Sequence, residues 1–136
     1  NENEKFKDSN INVISINNIV LLVGQVPNNE TKELAEKEVK SIPEVKKVYN
    51  QITIGKPTSA LTRSNDAWLT TKVKTAMLAE NGMQSTQVKV LTENSVVYLL
   101  GIVTTEEANV AVNVTKNIKG VKKVVKLFQI KKETVK

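Results

Sequence analysis

The chain of 136 residues contains neither cysteine nor histidine. Without cysteine it can form no disulfide and has no thiol nucleophile or thiolate metal ligand. Without histidine it lacks the side chain that most often acts as a general base or metal ligand near neutral pH. These absences disfavour most enzyme classes, so the sequence predicts a protein that is not an enzyme and needs no cofactor or metal ion.

The remaining acidic side chains do not change this prediction. Several of them fall at predicted helix starts and turns, where helix capping and solvation account for a carboxylate. They are Asp66, Glu80, Glu93, Glu106 and Glu107.

Long apolar runs are absent as well. No stretch of about 18 consecutive apolar residues occurs, so no segment is expected to cross a bilayer, and no charged start followed by an apolar core marks a signal peptide. The length suits either one domain or two very small ones.

Positive charge is concentrated at the carboxyl end. Residues 116–136 carry eight lysines and one glutamate, a charge of +7, so the other 115 residues sum to −1 within the total of +6. A basic segment of this kind can meet nucleic acid, an anionic membrane or an acidic protein, although a solvated lysine-rich surface also explains it.

The chain repeats itself. INVISINNIVLLVGQVPNNE, from Ile11, aligns with VKVLTENSVVYLLGIVTTEE, from Val88, and the alignment places Gly24 on Gly101. Farther on, VKKV occurs in both copies, at 45–48 and 121–124. An internal duplication predicts two units of the same fold.

Each copy predicts two strands, a helix and a third strand. Alternating apolar residues suit a half-buried strand, and after a tight NN or NS turn a continuous aliphatic run suits a central strand. The helix of each copy has its apolar residues at helical spacing. The two glycines interrupt the central strands, which predicts a bulge or the close approach of a packed helix.

A further helix is predicted ahead of the second copy, over 65–82, after a linker that spans 55–64. Ahead of the first copy stand only ten mostly polar residues, so the first unit is expected to lack this helix. The predicted boundaries are 1–54 for the first domain and 65–132 for the second.

The repeated pattern resembles the BON domain family. The resemblance is carried by VLLVGQVPN at 20–28, VYNQITIGKP at 48–57, NDAWLTTKVKTAML at 65–78 and TEN…LLGIVT within 92–104. It implies an α+β protein of two tandem BON domains, each αββαβ with a small three-stranded sheet and two helices on one face. The first module would lack its N-terminal helix.

The resemblance also implies a function and a location. It suggests binding of an anionic phospholipid, phosphatidylglycerol, at the inner leaflet of the outer membrane, in support of cell envelope integrity. The expected contact is the first helix of the second module. The parent protein would be a lipoprotein anchored on the periplasmic face of that membrane, and the anchor is absent from this chain.

The geometry of that helix can be tested against this expectation. At about 100° per residue, Leu69, Val73 and Met77 share a stripe that suits a core, whereas Leu78 falls outside it and Trp68 lies at its boundary. The candidate lipid-binding residues lie outside this stripe. They are Trp68, Thr71, Lys72, Lys74, Thr75 and Leu78.

Other interpretations of the same residues remain open. Trp68 could pack on a neighbouring loop, and Leu78 could make an incidental surface or interdomain contact. The C-terminal lysines form a rival lipid surface. They are Lys122, Lys123, Lys126, Lys131 and Lys132.

Two other classes of partner are envelope proteins and nucleic acid. A periplasmic adaptor that binds envelope proteins without binding lipid is the main alternative function. Nucleic acid is not expected as a partner, because the glycines never form a GXXG loop and only Tyr98 and Phe128 are aromatic residues on strands of the second copy.

Overall fold

In a computed structural model, residues 6–80, 83 and 87–132 are described. The chain divides into two compact units, Asn1–Ser59 and Ala60–Lys136. Each unit contains one three-stranded sheet. The duplication seen in the sequence therefore corresponds to two modules, and the prediction of a tandem α+β architecture is confirmed.

The two units repeat the same order of elements. The first contains β1 (Asn10–Ile16), β2 (Ile19–Val26), α1 (Asn29–Lys40) and β3 (Lys47–Ile54). The second contains α2 (Ala60–Leu78), β4 (Gln87–Glu93), β5 (Val96–Val103), α3 (Thr105–Lys116) and β6 (Lys123–Ile130).

In both sheets the middle strand is the continuous aliphatic run. β2 pairs antiparallel with β1 and parallel with β3, and β5 does the same with β4 and β6. The antiparallel pairs are closed by two-residue turns with positive φ, at Asn17 and Asn18 (46° and 70°) and at Asn94 and Ser95 (53° and 65°). These values are those of a type I′ turn, whose twist matches that of a hairpin.

The second unit has a core between its two helices and one face of its sheet. Val73 and Met77 of α2 and Ala111 of α3 pack with Val97 and Leu99 of β5. Both helices therefore cover the same face. The helix α3 begins with a capping box, in which Thr104 and Glu107 each bond the other's backbone N–H, and this bonding satisfies donors that the first turn leaves free.

The first unit has only one helix among its described residues. α1 contributes Ala35 to a cluster with Val20, Leu22 and Ile52. Val13 is 55% exposed, whereas Val90, at the same register of the second sheet, is 7% exposed. The place that α2 takes in the second unit is thus an open apolar groove in the first, and its lining includes Phe6, Ile11, Val13, Leu22 and Val39.

Gly24 is required by a neighbouring strand rather than by a helix or a bulge. Its φ is +135°, and a Cβ at this position would overlap the backbone carbonyl of Asn10. β1 and β2 pair residue by residue across this point, with Ile11 opposite Gly24. The predicted close approach is therefore real, but it comes from β1, and the predicted bulge is absent.

The helix ahead of the second sheet starts earlier than the sequence suggests. α2 begins at Ala60 rather than at Asn65, so residues 60–64 of the predicted linker are helical. The helix ends at Leu78, and the last two residues of the predicted span, 81 and 82, lie outside the described residues.

Candidate functional site

The inner side of α2 is fully used by the core of the second unit. Leu69, Val73 and Met77 are exposed by 1%, 0% and 6%. The predicted core stripe is therefore confirmed, and the function of the helix must be sought on its other side.

An uncharged stripe runs along the exposed side of α2. Its members are separated alternately by three and four residues, so they fall within an arc of about 100°. At about 1.5 Å per residue, the stripe is about 26 Å long. We call it the outer stripe, and every member is exposed. It comprises Leu61, Ser64, Trp68, Thr71, Thr75 and Leu78.

The large apolar side chains of the outer stripe lie near its ends and middle. Leu61 is 81% exposed, Trp68 59% and Leu78 85%. A single exposed leucine is common on a protein surface, whereas here three large apolar side chains share one stripe. Neither Trp68 nor Leu78 is buried by the packing of the second unit.

Cations border the outer stripe on both sides. Lys72 lies next to Trp68, with its Nζ 5.7 Å from the ring centroid, and it donates a hydrogen bond to the backbone carbonyl of Lys119 at 3.3 Å. Lys74 is exposed on the other border. The only acidic residue of α2 is Asp66, which is 3% exposed, so the helix presents cations and no carboxylate to solvent.

The buried Asp66 holds α2 on the hairpin of the second sheet. Its two carboxylate oxygens accept hydrogen bonds from the backbone N–H groups of Asn94 and Ser95, at 2.7 and 2.8 Å. One turn along the helix, Thr70 and Thr92 are joined by a hydroxyl bond of 2.7 Å. The prediction that Asp66 is a helix cap or a solvated charge is wrong, because its partners lie on another element.

The other four acids that were predicted to be caps or solvated charges fall into two groups. Glu107 is the capping-box partner of Thr104, and Glu80 and Glu106 are exposed, as predicted. Glu93 is only 5% exposed, so the prediction of a solvated charge is wrong there too. Burial raises the pKa of the nearby Tyr98 hydroxyl, and the negative charge of Glu93 adds to this effect.

The sequence-predicted lipid-binding residues lie together on one side of α2. Trp68, Thr71, Thr75 and Leu78 belong to the outer stripe, and Lys72 and Lys74 border it. Thr71 also donates its hydroxyl to the carbonyl of Ala67, at 3.1 Å, so its hydroxyl hydrogen is already used within the helix.

Leu61 was missed from the sequence because its segment, GKPTSALTRS, looks like a linker. One signal could have found it. Leu61 stands seven residues before Trp68, which is two helical turns, so both side chains lie on one face of any helix that includes them.

The rival lysines occupy a different part of the second unit. Lys123 and Lys126 lie on β6, which is an edge strand of its sheet, and the other three lie just outside this strand. Lysine on an edge strand discourages pairing with a further chain, which explains these residues without a ligand. All five are exposed: Lys122, Lys123, Lys126, Lys131 and Lys132.

Over residues 6–80, 83 and 87–132, no three acidic side chains come together as metal ligands would. Within the same residues, none of the helices combines the length and apolarity that a membrane span requires.

Comparison with known families identifies a family whose model matches most of the chain. The model of the BON domain matches twice, at residues 1–56 and 65–132. Each match falls largely within one compact unit, as an internal duplication requires.

Similar proteins come from several bacteria. The chain is 43% identical to the outer membrane lipoprotein DolP of Haemophilus influenzae. The aligned region covers 90% of this chain and 63% of that protein. The chain is 36% identical, with the same coverage, to a 21 kDa hemolysin of Actinobacillus pleuropneumoniae. A third relative, an uncharacterized protein in the gshII 5' region of Anaplasma centrale, is 32% identical over 82% of the chain and 76% of its own length.

The chain thus spans 63% of the length of the first two relatives. Among solved structures, the C-terminal domain of CdsD, a structural protein of the type III secretion system of Chlamydia trachomatis, matches with a TM-score of 0.41 at 13% identity. The match covers 95% of this chain and 93% of that domain, and a likeness this slight carries no weight for function.

Proposed function

The chain belongs to the BON domain family, and from that premise we propose that its second module binds anionic phospholipid without catalysing a reaction. The ligand is a bilayer surface that contains phosphatidylglycerol, at the inner leaflet of the outer membrane. The parent protein is then a lipoprotein of the cell envelope, as the name of the Haemophilus relative indicates for that protein, and it supports the integrity of the envelope.

One observation supports this proposal above the others. The exposed Trp68 and Leu78 share the outer stripe, while Lys72 and Lys74 border it and no carboxylate of α2 reaches solvent. Apolar side chains can enter the acyl boundary, the indole ring suits the headgroup level, and the lysines meet anionic headgroups.

The expected affinity is low. Burial of Leu78 and part of Trp68 contributes about 2–4 kcal/mol, and each of the two lysines adds about 1 kcal/mol near an anionic surface. A total of about 4–6 kcal/mol corresponds to a dissociation constant between tens of micromolar and about one millimolar. Such a module binds reversibly, which suits a protein that a lipid anchor already holds at the membrane.

The test is a binding titration with vesicles of phosphatidylglycerol and phosphatidylcholine, against vesicles of phosphatidylcholine and phosphatidylethanolamine. We expect binding only to the first kind. Leu78→Glu should weaken it at least about tenfold, since it removes an apolar contact and adds a negative charge, and Trp68→Ala should weaken it less.

The matched control is Ile130→Glu, which changes an apolar residue that is 58% exposed but lies at the end of β6. It should bind as the wild type does. Equal binding by the wild type and by Leu78→Glu would refute the assignment of the site to α2, and absence of binding by the wild type would refute the lipid function.

The alternative function is that of an adaptor for envelope proteins. It is favoured by the three-and-four spacing of the outer stripe, which is also the spacing of a helix seam that packs on a partner helix. The adaptor function holds instead if two results are found together. The wild type binds neither kind of vesicle, and Leu78→Glu abolishes binding to a defined envelope protein that the wild type captures.

A further inference from the structure

Leu61 has no evident role in the packing of its own module. It lies in the first turn of α2 and is 81% exposed. The fold of the second unit therefore leaves this side chain unexplained.

The position of Leu61 is specific in relation to the lipid-binding residues. It is seven residues before Trp68 and seventeen before Leu78, at the opposite end of the outer stripe. Between the two ends every member of the stripe is uncharged. The first turn of α2 carries no acidic residue, so nothing in that turn repels an anionic headgroup.

We propose that Leu61 is a third membrane anchor, and that α2 consequently lies with its axis parallel to the bilayer surface and contacts lipid over its whole length. The inference rests on the proposed lipid function and extends it to a residue and an orientation. A flat surface can follow a straight helix only along one stripe, and the outer stripe offers apolar side chains near both ends and in the middle.

The alternative geometry has a different consequence. If only the carboxyl end of α2 met the membrane, through Leu78 and Trp68, the helix would be inclined and Leu61 would stay in water. A substitution of Leu61 would then leave the affinity for lipid unchanged, so the effect of such a substitution distinguishes the two geometries.

The first experiment measures binding of Leu61→Ala and Leu61→Glu to vesicles of phosphatidylglycerol and phosphatidylcholine. We expect the dissociation constant to rise about fivefold for the alanine variant and more than about tenfold for the glutamate variant. Ile130→Glu is again the control, and it should match the wild type. Far-UV circular dichroism should be unchanged in all variants, because each altered side chain is exposed.

The second experiment uses the absence of cysteine from the chain. An environment-sensitive fluorophore on Leu61→Cys should shift to shorter wavelength when these vesicles are added. The same label on Asn109→Cys, at an exposed position of α3, should not shift. A shift at Leu61 together with weaker binding of the Leu61 variants supports the proposal.

Three outcomes would overturn it, and they are distinguishable. If the Leu61 variants bind like the wild type while Leu78→Glu does not bind, Leu61 is not an anchor but the lipid function stands. A wild type that binds no vesicle removes both. A label at Leu61 that shifts with protein concentration in the absence of lipid shows that a second copy of the chain covers the stripe.

Discussion

The carboxylate of Asp66 lies 2.8 Å from the backbone nitrogen of Ser95 and accepts its hydrogen bond. Ser95 forms the second half of a hairpin turn with positive φ, so the bond joins the first half of α2 to the tip of the β4–β5 hairpin. Since Asp66 also bonds Asn94, the helix cannot rotate about its axis without breaking two charge-assisted bonds. The outer stripe is thereby held on the solvent side.

Asp66→Ala should destabilise the second unit. The change removes two hydrogen bonds to a charged acceptor and leaves two turn N–H groups without it, which costs about 2–4 kcal/mol of unfolding free energy. Urea unfolding followed by circular dichroism measures the loss. The control Glu106→Ala removes an exposed carboxylate and should cost less than about 1 kcal/mol, and equal losses in the two variants would contradict the assigned role.

Gly24→Ala should destabilise the first unit. The new methyl group would overlap the carbonyl of Asn10 at a backbone φ of +135°, so β1 must move or the strand must change its conformation. We expect a loss of at least about 2 kcal/mol. Gly55→Ala is the matched control, because a Cβ at Gly55 meets nothing within 4 Å. Urea unfolding followed by circular dichroism measures the loss. An unchanged urea midpoint for Gly24→Ala would show that β1 can move away from Gly24 at little cost.

Lipid binding should depend on the two lysines that border the outer stripe. Replacing both Lys72 and Lys74 by glutamine removes about 2 kcal/mol of attraction, which is about a thirtyfold weaker affinity at low salt. The difference from the wild type should shrink at high salt, because screening removes the same attraction. A double change of Lys37 and Lys46 to glutamine, at exposed positions of the first unit, should leave the affinity within about twofold, and equal effects of the two pairs would indicate a nonspecific attraction.

The pH dependence of stability should include a contribution from Glu36. Lys40 donates to its carboxylate at 2.7 Å and Asn50 at 3.1 Å, and these bonds, that of Lys40 first, hold the pKa of Glu36 below its ordinary value. A carboxyl whose folded pKa is lowered adds stability above its unfolded pKa, and that stability is lost as the pH falls through the folded value.

Glu36→Gln should therefore lose less stability between neutral and acid pH than the wild type does. The effect is small, because the side chain is a third exposed and water screens the pair. Urea midpoints at several pH values measure it. Parallel curves for the two proteins would show that the bonds from Lys40 and Asn50 to Glu36 add no pH-dependent stability.

Much of the fold could be predicted because its signals are local. Alternating residues marked β1 and β4, aliphatic runs marked β2 and β5, and the spacing of Leu69, Val73 and Met77 marked the inner side of α2. The start of α2 could not be predicted, because Pro57 and the small residues after it favour a linker while the helix begins just beyond them, at Ala60.

The surroundings of single residues were harder to predict because their partners are distant in sequence. The turn that binds Asp66 lies 28 residues farther along the chain. Gly24 is constrained by Asn10, which reaches it only after a hairpin forms. The exposure of Leu61 depends on a helical start that its own segment does not predict.

By itself the sequence determined that the chain holds two copies of one small α+β module, without cysteine or histidine chemistry. This followed because apolar periodicity and turn residues act over a few neighbours. Only the tertiary structure decided that Asp66 is buried and that Gly24 is required by the close approach of β1. It also decided that Leu61, Trp68 and Leu78 line one exposed side of α2. Burial and exposure are set by whatever packs against a residue, and in a folded chain that neighbour comes from far away in sequence.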